Sequence, residues 1–269
     1  MKPADIRRAV PREAFVPDTI WVRRADGWAV PLSRRDAPRE WERIVAADDE
    51  PVITQVDDGA TGKGTWPTSS GSSPEVMAIM LDALQVRPGL RVLEIGTGTG
   101  YNAAVLATIA GPRNVTTLEI DATIAEQART ALDRAGHPVH LVVADATHGY
   151  PPHAPYDRII VTAAAHHIPY AWIRQTEPGG LIVVPWAPTF HPDWPLCRLT
   201  VHPDGTATGR FIGPSSFMPL RGQRLPQSVI HDTEQRWADA GEPDCTRYGI
   251  TVTAQEQQIW LDTPDTVIA

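Results

Sequence analysis

A glycine-rich stretch, Gly96-Thr97-Gly98-Thr99-Gly100, follows the short apolar segment Val92–Ile95 and precedes a run of small residues with helical character. Glycines at a strand-to-helix turn let the backbone bend sharply and approach a ligand without a Cβ in the way. Open α/β sheets bind ligands in such loops, at the carboxyl ends of their strands. A glycine motif of this kind also suits a dinucleotide, so the neighbouring residues must distinguish the ligands.

Three acidic residues accompany this loop: Glu94 stands just ahead of it, and Glu119 and Asp145 end the two strand-like segments that follow. A carboxylate at Glu94 would repel a pyrophosphate but suit the ammonium group of an amino-acid tail. Glu119 occupies the position where an acid accepts hydrogen bonds from ribose hydroxyls, and Asp145 can reach an adenine amino group. S-adenosylmethionine has all three groups. The alternative is an ordinary α/β sheet whose acids only cap helices, as we expect for Asp121.

Residues 72–188 alternate strand and helix signals, which predicts an α/β domain with a mainly parallel sheet covered on both faces. Ser73 followed by Pro74 is typical of a helix N-cap and first helical position. Strands are predicted at 92–95, 115–120, 140–143, 158–161 and 181–184. Helices are predicted after Pro74 and near 103–110, 124–135 and 170–175.

Two extensions flank this predicted core. Residues 1–71 carry four of the nine tryptophans and are therefore expected to be ordered, as a substrate-binding or lid extension with a loop at 57–64. Residues 189–269 are expected to complete the sheet, with a hairpin around Pro203-Asp204-Gly205 and a second strand pair at 248–252 and 258–261.

The whole-chain composition narrows the function. The chain has 269 residues and a net charge of -8, which argues against a nucleic-acid partner. Cys197 and Cys245 are expected to be reduced. The start lacks the apolar stretch of a signal peptide, and no apolar run is long enough to span a membrane. We therefore expect a cytoplasmic protein without a membrane partner, while its oligomeric state stays open. The nine histidines show no metal-binding spacing, so no metal is expected.

Three separated motifs resemble the protein-L-isoaspartate O-methyltransferase family. They are Val92–Ala104, Ala154–Ala165 with Glu177-Pro178-Gly179-Gly180, and Val10–Pro17, which looks like that family's opening helix. The resemblance implies a Rossmann-like class I S-adenosylmethionine-dependent methyltransferase with a mainly parallel seven-stranded sheet, forming S-adenosyl-L-homocysteine as product. The residues it implies at the cofactor are Glu94, Gly96, Thr97, Gly98, Gly100, Tyr101, Asn102, Glu119, Ile120, Asp145 and Ala146.

The same resemblance places Ser72 at the family's active-site serine, where it contacts the substrate carboxylate. The alternatives are that Ser72 only belongs to a serine-rich helix cap, or that the register slips to Ser70. The residues expected near the substrate are Ser70, Trp66, Ala164, Ala165 and His166. For His166 a plain loop role is the alternative, and for the tryptophans it is packing.

Segments 15–22 and 52–59 look like a specific branch of this family, associated with ATP-grasp enzymes that make crosslinked ribosomal peptides (graspetides). That branch methylates an aspartate in the crosslinked precursor peptide, and the ester closes to an aspartimide. This is the leading expectation for the substrate. The alternatives are isoaspartyl repair of damaged proteins and a non-catalytic module that only binds the nucleoside.

Overall fold

The computed structural model describes residues 2–268. Met1, the first residue of the first predicted region, and Ala269, the last residue of the third, lie outside the described residues. The chain forms two compact units. Unit one comprises Met1–Gly89 and Thr97–Ala144, and unit two comprises Leu90–Gly96 and Asp145–Ala269. This division differs from the three regions inferred from the sequence, which stay a prediction.

The helices are α1 (Pro3–Ala9), α2 (Pro38–Ala46), α3 (Pro74–Leu84), α4 (Tyr101–Ala110), α5 (Ala122–Arg134), α6 (Tyr170–Arg174) and α7 (Gln227–Asp239). The strands are β1 (Thr19–Arg23), β2 (Ala29–Ser33), β3 (Val52–Val56), β4 (Pro67–Gly71), β5 (Val92–Ile95), β6 (Val115–Glu119), β7 (His140–Val143), β8 (Tyr156–Val161), β9 (Thr176–Pro185), β10 (Leu196–Val201), β11 (Ala207–Phe211), β12 (Tyr248–Val252) and β13 (Gln257–Leu261).

Two helix starts confirm the capping predictions. The Ser73 hydroxyl accepts a hydrogen bond from the Val76 N–H at 3.3 Å, and Pro74 opens α3. Asp121 caps α5 by accepting from the N–H groups of Thr123 and Ile124. These caps satisfy backbone donors that have no partner within a helix's first turn.

The first predicted region is ordered, as expected, and in unit one it forms a four-stranded antiparallel sheet with strand order β2-β1-β3-β4. Its core is a cluster of buried apolar side chains: Val16, Ile20, Leu32, Trp41, Val45 and Val52. Burial of this cluster explains why a stretch so rich in proline and charge is folded.

The motif Val10–Pro17 does not form the opening helix, which corrects that expectation. The opening helix α1 ends at Ala9, and only Arg12–Ala14 forms a single 3-10 turn. Pro11 explains the break, because proline lacks a backbone N–H and forces the residue before it into an extended conformation. Val10 is accordingly extended.

The larger sheet has nine strands and is mixed, which corrects the predicted seven-stranded, mainly parallel sheet. Unit two contributes seven strands in the order β13-β12-β11-β10-β9-β8-β5, and unit one contributes the parallel pair β6 and β7. Strands β5, β8 and β9 pair in parallel, whereas every pair from β9 to β13 is antiparallel.

The predicted hairpin is confirmed as β10 and β11, and Gly205 takes a positive φ of 80° in its turn. Strands β12 and β13 form the second predicted pair. The short connections within these two pairs allow only antiparallel pairing. No helix within residues 2–268 combines the length and apolar character needed to cross a bilayer.

The small sheet is expected to depend on Trp41, which is 1% exposed, donates its indole N–H to Pro17 O at 3.2 Å and stacks against the Arg34 guanidinium. Trp41→Ala should lower the free energy of unfolding by about 3–5 kcal/mol, because a large buried side chain leaves a cavity. The measurement is urea denaturation followed by circular dichroism. Trp66→Ala is the matched control, since Trp66 is 62% exposed, and should change stability by less than about 0.5 kcal/mol. Equal losses in the two variants would contradict the assignment of the core.

Candidate active site

In unit one the glycine loop runs from the boundary at Thr97 into α4. Gly98 and Gly100 have positive φ values of 54° and 84°. A Cβ added at Gly98 would lie 3.3 Å from the backbone oxygen of Ser70, and one at Gly100 would lie 3.1 Å from Leu132 Cγ. Both the conformation and the close approach therefore favour glycine at these positions.

Glu119, the last residue of β6, holds this loop with its carboxylate. Its Oε2 accepts from the Gly98 N–H at 3.0 Å, and its Oε1 accepts from the Asp121 N–H at 3.1 Å. The Ile120 N–H also interacts with this carboxylate, and the four lone pairs of the two oxygens still leave room for a ligand hydroxyl. The side chain is only 8% exposed, and this burial raises the pKa of Glu119 above its ordinary value despite those hydrogen bonds.

The other predicted cofactor residues of unit one serve the loop and its surroundings. Thr97 shares a hydrogen bond of 2.6 Å with the hydroxyl of Thr117. Tyr101 and Asn102 open α4 and are buried, and burial raises the pKa of Tyr101 to about 12, so this phenol is neutral. Ile120 is 44% exposed, which leaves an apolar surface directly after Glu119.

The small sheet contacts the glycine loop within the same unit. Gln55 on β3 donates to Asp121 Oδ2 at 3.3 Å. A Cβ at Gly71, the last residue of β4, would lie 3.7 Å from the Thr99 side chain. Together with the approach of Ser70 to Gly98, these contacts bring the end of β4 beside the predicted cofactor loop.

Four serines stand at this end of β4, and they divide into two kinds. Ser69 accepts a hydrogen bond from the Thr54 hydroxyl, and Ser73 caps α3, so both have structural roles. The hydroxyls of Ser70 and Ser72 have no hydrogen-bond partner among residues 2–268. The two serines predicted to serve the substrate are thus the two that the fold does not use through their side chains.

Arg12 is a residue of this region that the sequence reasoning did not identify. It is 1% exposed, and its two terminal nitrogens lie within hydrogen-bond distance of five backbone oxygens. Two of these belong to Gly71, at 2.8 Å, and Ser72, at 2.9 Å. Burial lowers the pKa of Arg12 to about 10, which leaves it protonated at neutral pH. A single arginine in the motif Val10–Pro17 gave no signal, because its acceptors lie far along the chain.

In unit two, Glu94 on β5 is fully buried and Gly96 has a positive φ of 92°. A Cβ at Gly96 would lie 2.7 Å from Thr162 Oγ1, so a side chain there would displace Thr162. The Thr162 hydroxyl donates to the carbonyls of Ile95 and Gly96, which fixes the end of β5.

Asp145 is exposed and caps a short 3-10 turn, with Oδ1 accepting from the N–H and the hydroxyl of Thr147, each at 2.9 Å. The capping role weighed as its alternative is therefore present. Its second oxygen, Oδ2, has no partner within the described residues and remains able to accept from a ligand. Ala146 is buried, and its carbonyl accepts from the Trp172 indole at 2.8 Å.

The segment after β8 contains the predicted substrate residues of unit two. Ala164 and Ala165 are 0% exposed, and all four of their backbone polar groups form hydrogen bonds to other backbone groups. Their contact with substrate stays a prediction. Because both residues are buried, they would influence the substrate only by setting the path of the loop backbone. Burial and the neighbouring His167 lower the pKa of His166, so its ring is neutral at physiological pH.

Two glutamines from distant parts of unit two hold this loop by its backbone. Gln223 accepts from the N–H groups of His166 and His167 and donates to His167 O, at 2.9–3.0 Å. Gln257 accepts from the Ile168 N–H and donates to His166 O, both at 2.9 Å. Sequence reasoning missed both glutamines, which lie 56 to 91 residues from their partners. Within residues 2–268, no cluster of three or more potential metal ligands occurs.

Comparison with known proteins identifies relatives over most of the chain. The family model for protein-L-isoaspartate(D-aspartate) O-methyltransferase matches residues 42–224. Protein-L-isoaspartate O-methyltransferase 2 from Polaromonas sp. is 46% identical over 154 residues, which are 57% of this chain and 72% of that protein. The Ignicoccus hospitalis protein-L-isoaspartate O-methyltransferase is 34% identical over 223 residues, 81% of this chain and 87% of that protein.

Two solved structures show the same fold. A protein-L-isoaspartate O-methyltransferase covers 97% of this chain and 95% of its own, with a TM-score of 0.67 at 20% identity. A structure from Plasmodium falciparum with the same family name, in complex with S-adenosyl-L-homocysteine, covers 81% of this chain and 89% of its own, with a TM-score of 0.60 at 16% identity. The class I methyltransferase fold predicted from the sequence is thereby confirmed.

The raised pKa of Glu119 predicts how cofactor binding responds to pH. The carboxyl takes up a proton at a higher pH than an ordinary glutamate, and its neutral form accepts weaker hydrogen bonds. The Kd for S-adenosylmethionine should therefore rise as pH falls through that pKa. Glu119→Gln should weaken binding by about tenfold at neutral pH and flatten this dependence. Isothermal titration calorimetry between about pH 8 and about pH 5 tests this. The exposed Glu126 supplies the control E126Q, and wild-type affinity in E119Q would refute the role.

The glutamine contacts predict a local change in the loop. Gln223→Ala removes three hydrogen bonds and leaves the amides of His166 and His167 without their acceptor. Hydrogen exchange of these two amides should speed up by about tenfold or more, because each lost bond costs about 1 kcal/mol. Gln227→Ala, at an exposed position near the start of α7, is the matched control. Unchanged exchange at residues 166 and 167 would mean that the loop does not need Gln223.

Proposed function

The chain belongs to the protein-L-isoaspartate(D-aspartate) O-methyltransferase family, and we propose that its acceptor is the free carboxylate of an isoaspartyl residue in a peptide or protein. The chain is an S-adenosylmethionine-dependent protein carboxyl O-methyltransferase. We propose which carboxylate it methylates and which residues bind the cofactor and orient the acceptor. The family match supports isoaspartate as the acceptor, and the observation that supports Ser72 as the residue that binds it is its half-buried hydroxyl without a protein partner, beside the N-terminus of α3.

Residues of both units suit S-adenosylmethionine by their chemistry. When bound, this cofactor supplies an electrophilic methyl group attached to a positively charged sulfur. We assign the ribose hydroxyls to Glu119, the amino group to Glu94 and the adenine amino group to Asp145. The spare lone pairs of Glu119 and Asp145 support the first and third assignments. Glycine is required at positions 96 and 98 by the fold itself, because a Cβ there would meet Thr162 or Ser70, and the resulting turn leaves the loop backbone without side chains toward a ligand.

Ser72 is assigned the acceptor carboxylate. A carboxylate is ionised at neutral pH, so its attack on a methyl group needs no general base. The Ser72 hydroxyl donates to one oxygen and leaves the other free to react, and the positive end of the α3 dipole favours the negative charge. Orientation of this kind is where most of the rate is gained in a transfer without proton movement. Ser70 remains the alternative donor.

Trp66 is assigned to more distant residues of the substrate. Trp66 lies just before β4 and six positions before Ser72. In an extended strand, six residues span about 20 Å, so the two residues are about that far apart. The exposed Trp66 ring suits an apolar or aromatic side chain several positions away from the methylated residue. The methyl ester then closes without further help, when the next backbone nitrogen attacks its carbonyl and methanol leaves.

A crosslinked peptide with an internal aspartate is the second candidate substrate. The two segments that look like the graspetide-associated branch contain most of β1 and all of β3, which pair at Trp21 and Ile53 in the same sheet as β4. Strand β3 pairs directly with β4, and its Val52 lies opposite Gly71, the residue before Ser72. Against this candidate, the likeness to a solved isoaspartate enzyme covers 97% of the chain, extensions included, so extra length alone does not set this protein apart. A cytoplasmic location of the enzyme is compatible with both candidate substrates.

The two candidates are separated by a peptide pair that differs only in one linkage. The purified chain is incubated with S-adenosylmethionine and a short peptide carrying either isoaspartate or aspartate, and products are followed by mass spectrometry. We expect one added methyl, then net loss of one water as the ester closes, on the isoaspartyl peptide only. kcat/KM should exceed that of the aspartyl peptide by about a hundredfold or more.

A crosslinked peptide with an internal aspartate, and its linear form, complete this panel. Methylation confined to the crosslinked peptide would refute the isoaspartyl proposal and favour the second candidate. Cofactor binding without methyl transfer to any member of the panel would refute both.

A further inference from the structure

The backbone on both sides of Ser72 is held by one buried guanidinium. We propose that Arg12 is a positioning residue for methyl transfer, which fixes the direction of the Ser72 side chain through its two flanking peptide groups. The inference rests on the catalytic role assigned to Ser72 in the proposed function. Arg12 itself is not placed in contact with substrate or cofactor.

The contacts of Arg12 fall on both peptide planes that define the conformation of Ser72. Arg12 Nη2 donates to Gly71 O at 2.8 Å and to Ser72 O at 2.9 Å. The first oxygen belongs to the peptide plane before the Ser72 Cα, and the second belongs to the plane after it. Because each peptide group is rigid, holding both planes fixes φ and ψ of the serine, and with them the direction of its Cα–Cβ bond.

The remaining contacts anchor the guanidinium to the rest of the small sheet. Arg12 Nη1 donates to Ala47 O at 2.9 Å and to Val45 O at 3.4 Å, at the end of α2, and Nη2 also reaches Glu50 O at 3.0 Å, just before β3. One side chain therefore connects α2, the approach to β3 and the end of β4. These contacts give the serine a fixed frame within unit one.

Only arginine suits this arrangement. All five acceptors are neutral backbone oxygens, and they lie around two nitrogens of one rigid plane. A lysine has a single nitrogen with three donors and cannot reach both groups of acceptors. Arg7 provides a natural comparison, since it donates to Ala46 O at 2.9 Å in the same region and pairs with Asp48, yet does not reach Gly71 or Ser72.

The serine hydroxyl is otherwise under little restraint. It has no hydrogen-bond partner within residues 2–268, in contrast to Ser69 and Ser73 on either side. The direction of the hydroxyl therefore depends on the backbone of Ser72. Arg12 donates hydrogen bonds to that backbone, at Gly71 O and Ser72 O, at 2.8–2.9 Å. Loss of those contacts should lower the rate of methyl transfer and leave the glycine loop unaffected.

The test is a double-mutant cycle of Arg12→Lys and Ser72→Ala, with Arg7→Lys as matched control. Each variant is assayed for kcat with the peptide that the wild-type enzyme turns over fastest, and for S-adenosylmethionine Kd by calorimetry. We expect R12K to lower kcat by about tenfold or more while Kd changes by less than about twofold. R7K should leave both values within about twofold of wild type. In the S72A background, R12K should have little further effect, because the group it positions is gone.

The outcomes separate this inference from the proposed function. If S72A retains wild-type kcat, the role of the serine is wrong and the inference falls with it. If S72A is impaired but R12K lowers kcat equally with and without the serine, Arg12 acts elsewhere and only the inference is overturned. Arg12→Gln is the second variant, and loss of cofactor binding in both Arg12 variants would also overturn the inference, because Arg12 would then maintain the whole unit.

Discussion

The arrangement of unit one depends on a close backbone approach between the end of β4 and the glycine loop. The Ser70 carbonyl lies where a side chain at Gly98 would have to point, and the Glu119 carboxylate holds the Gly98 N–H from the other direction. A residue with a Cβ at position 98 would meet both a positive φ and an occupied space. Glycine at this one position thus allows the predicted cofactor loop and the strand that carries Ser70 to lie in contact.

This constraint explains why the small sheet is more than an addition to the fold. Its strand β4 brings Ser70 and Gly71 to the loop, its Gln55 contacts Asp121, and its buried cluster around Trp41 stabilises the strands. The family fold supplies the cofactor machinery, and the small sheet supplies the hydroxyl that meets the substrate in our proposal. Because a carboxylate is already ionised at neutral pH, methyl transfer in this proposal needs orientation more than acid or base chemistry.

The sequence predicted the elements whose signals are local. The caps at Ser73 and Asp121 and the hairpin around Gly205 follow from neighbouring residues, and all three are present. The two antiparallel pairs β10–β11 and β12–β13 were also predicted, but the total of nine strands and the mixed direction of the large sheet were not, because they depend on pairing between distant segments such as β11 and β12. The contacts of Arg12 and Gln223 were missed for the same reason: their acceptors and donors are backbone groups, which every residue carries, so no residue type in the sequence marks the partner.

The two glutamines that hold the loop after β8 contact only its main chain. A backbone amide is the same whichever side chain it carries, so residues 166 and 167 can be exchanged while the path of the loop is kept. The amides of Gln223 and Gln257 are also uncharged, and neither salt nor acidity alters their hydrogen bonds in the way it alters an ion pair. The fold thus separates the shape of this segment from its chemical identity, and enzymes built on this plan can diversify the side chains they present there without redesigning the support beneath them.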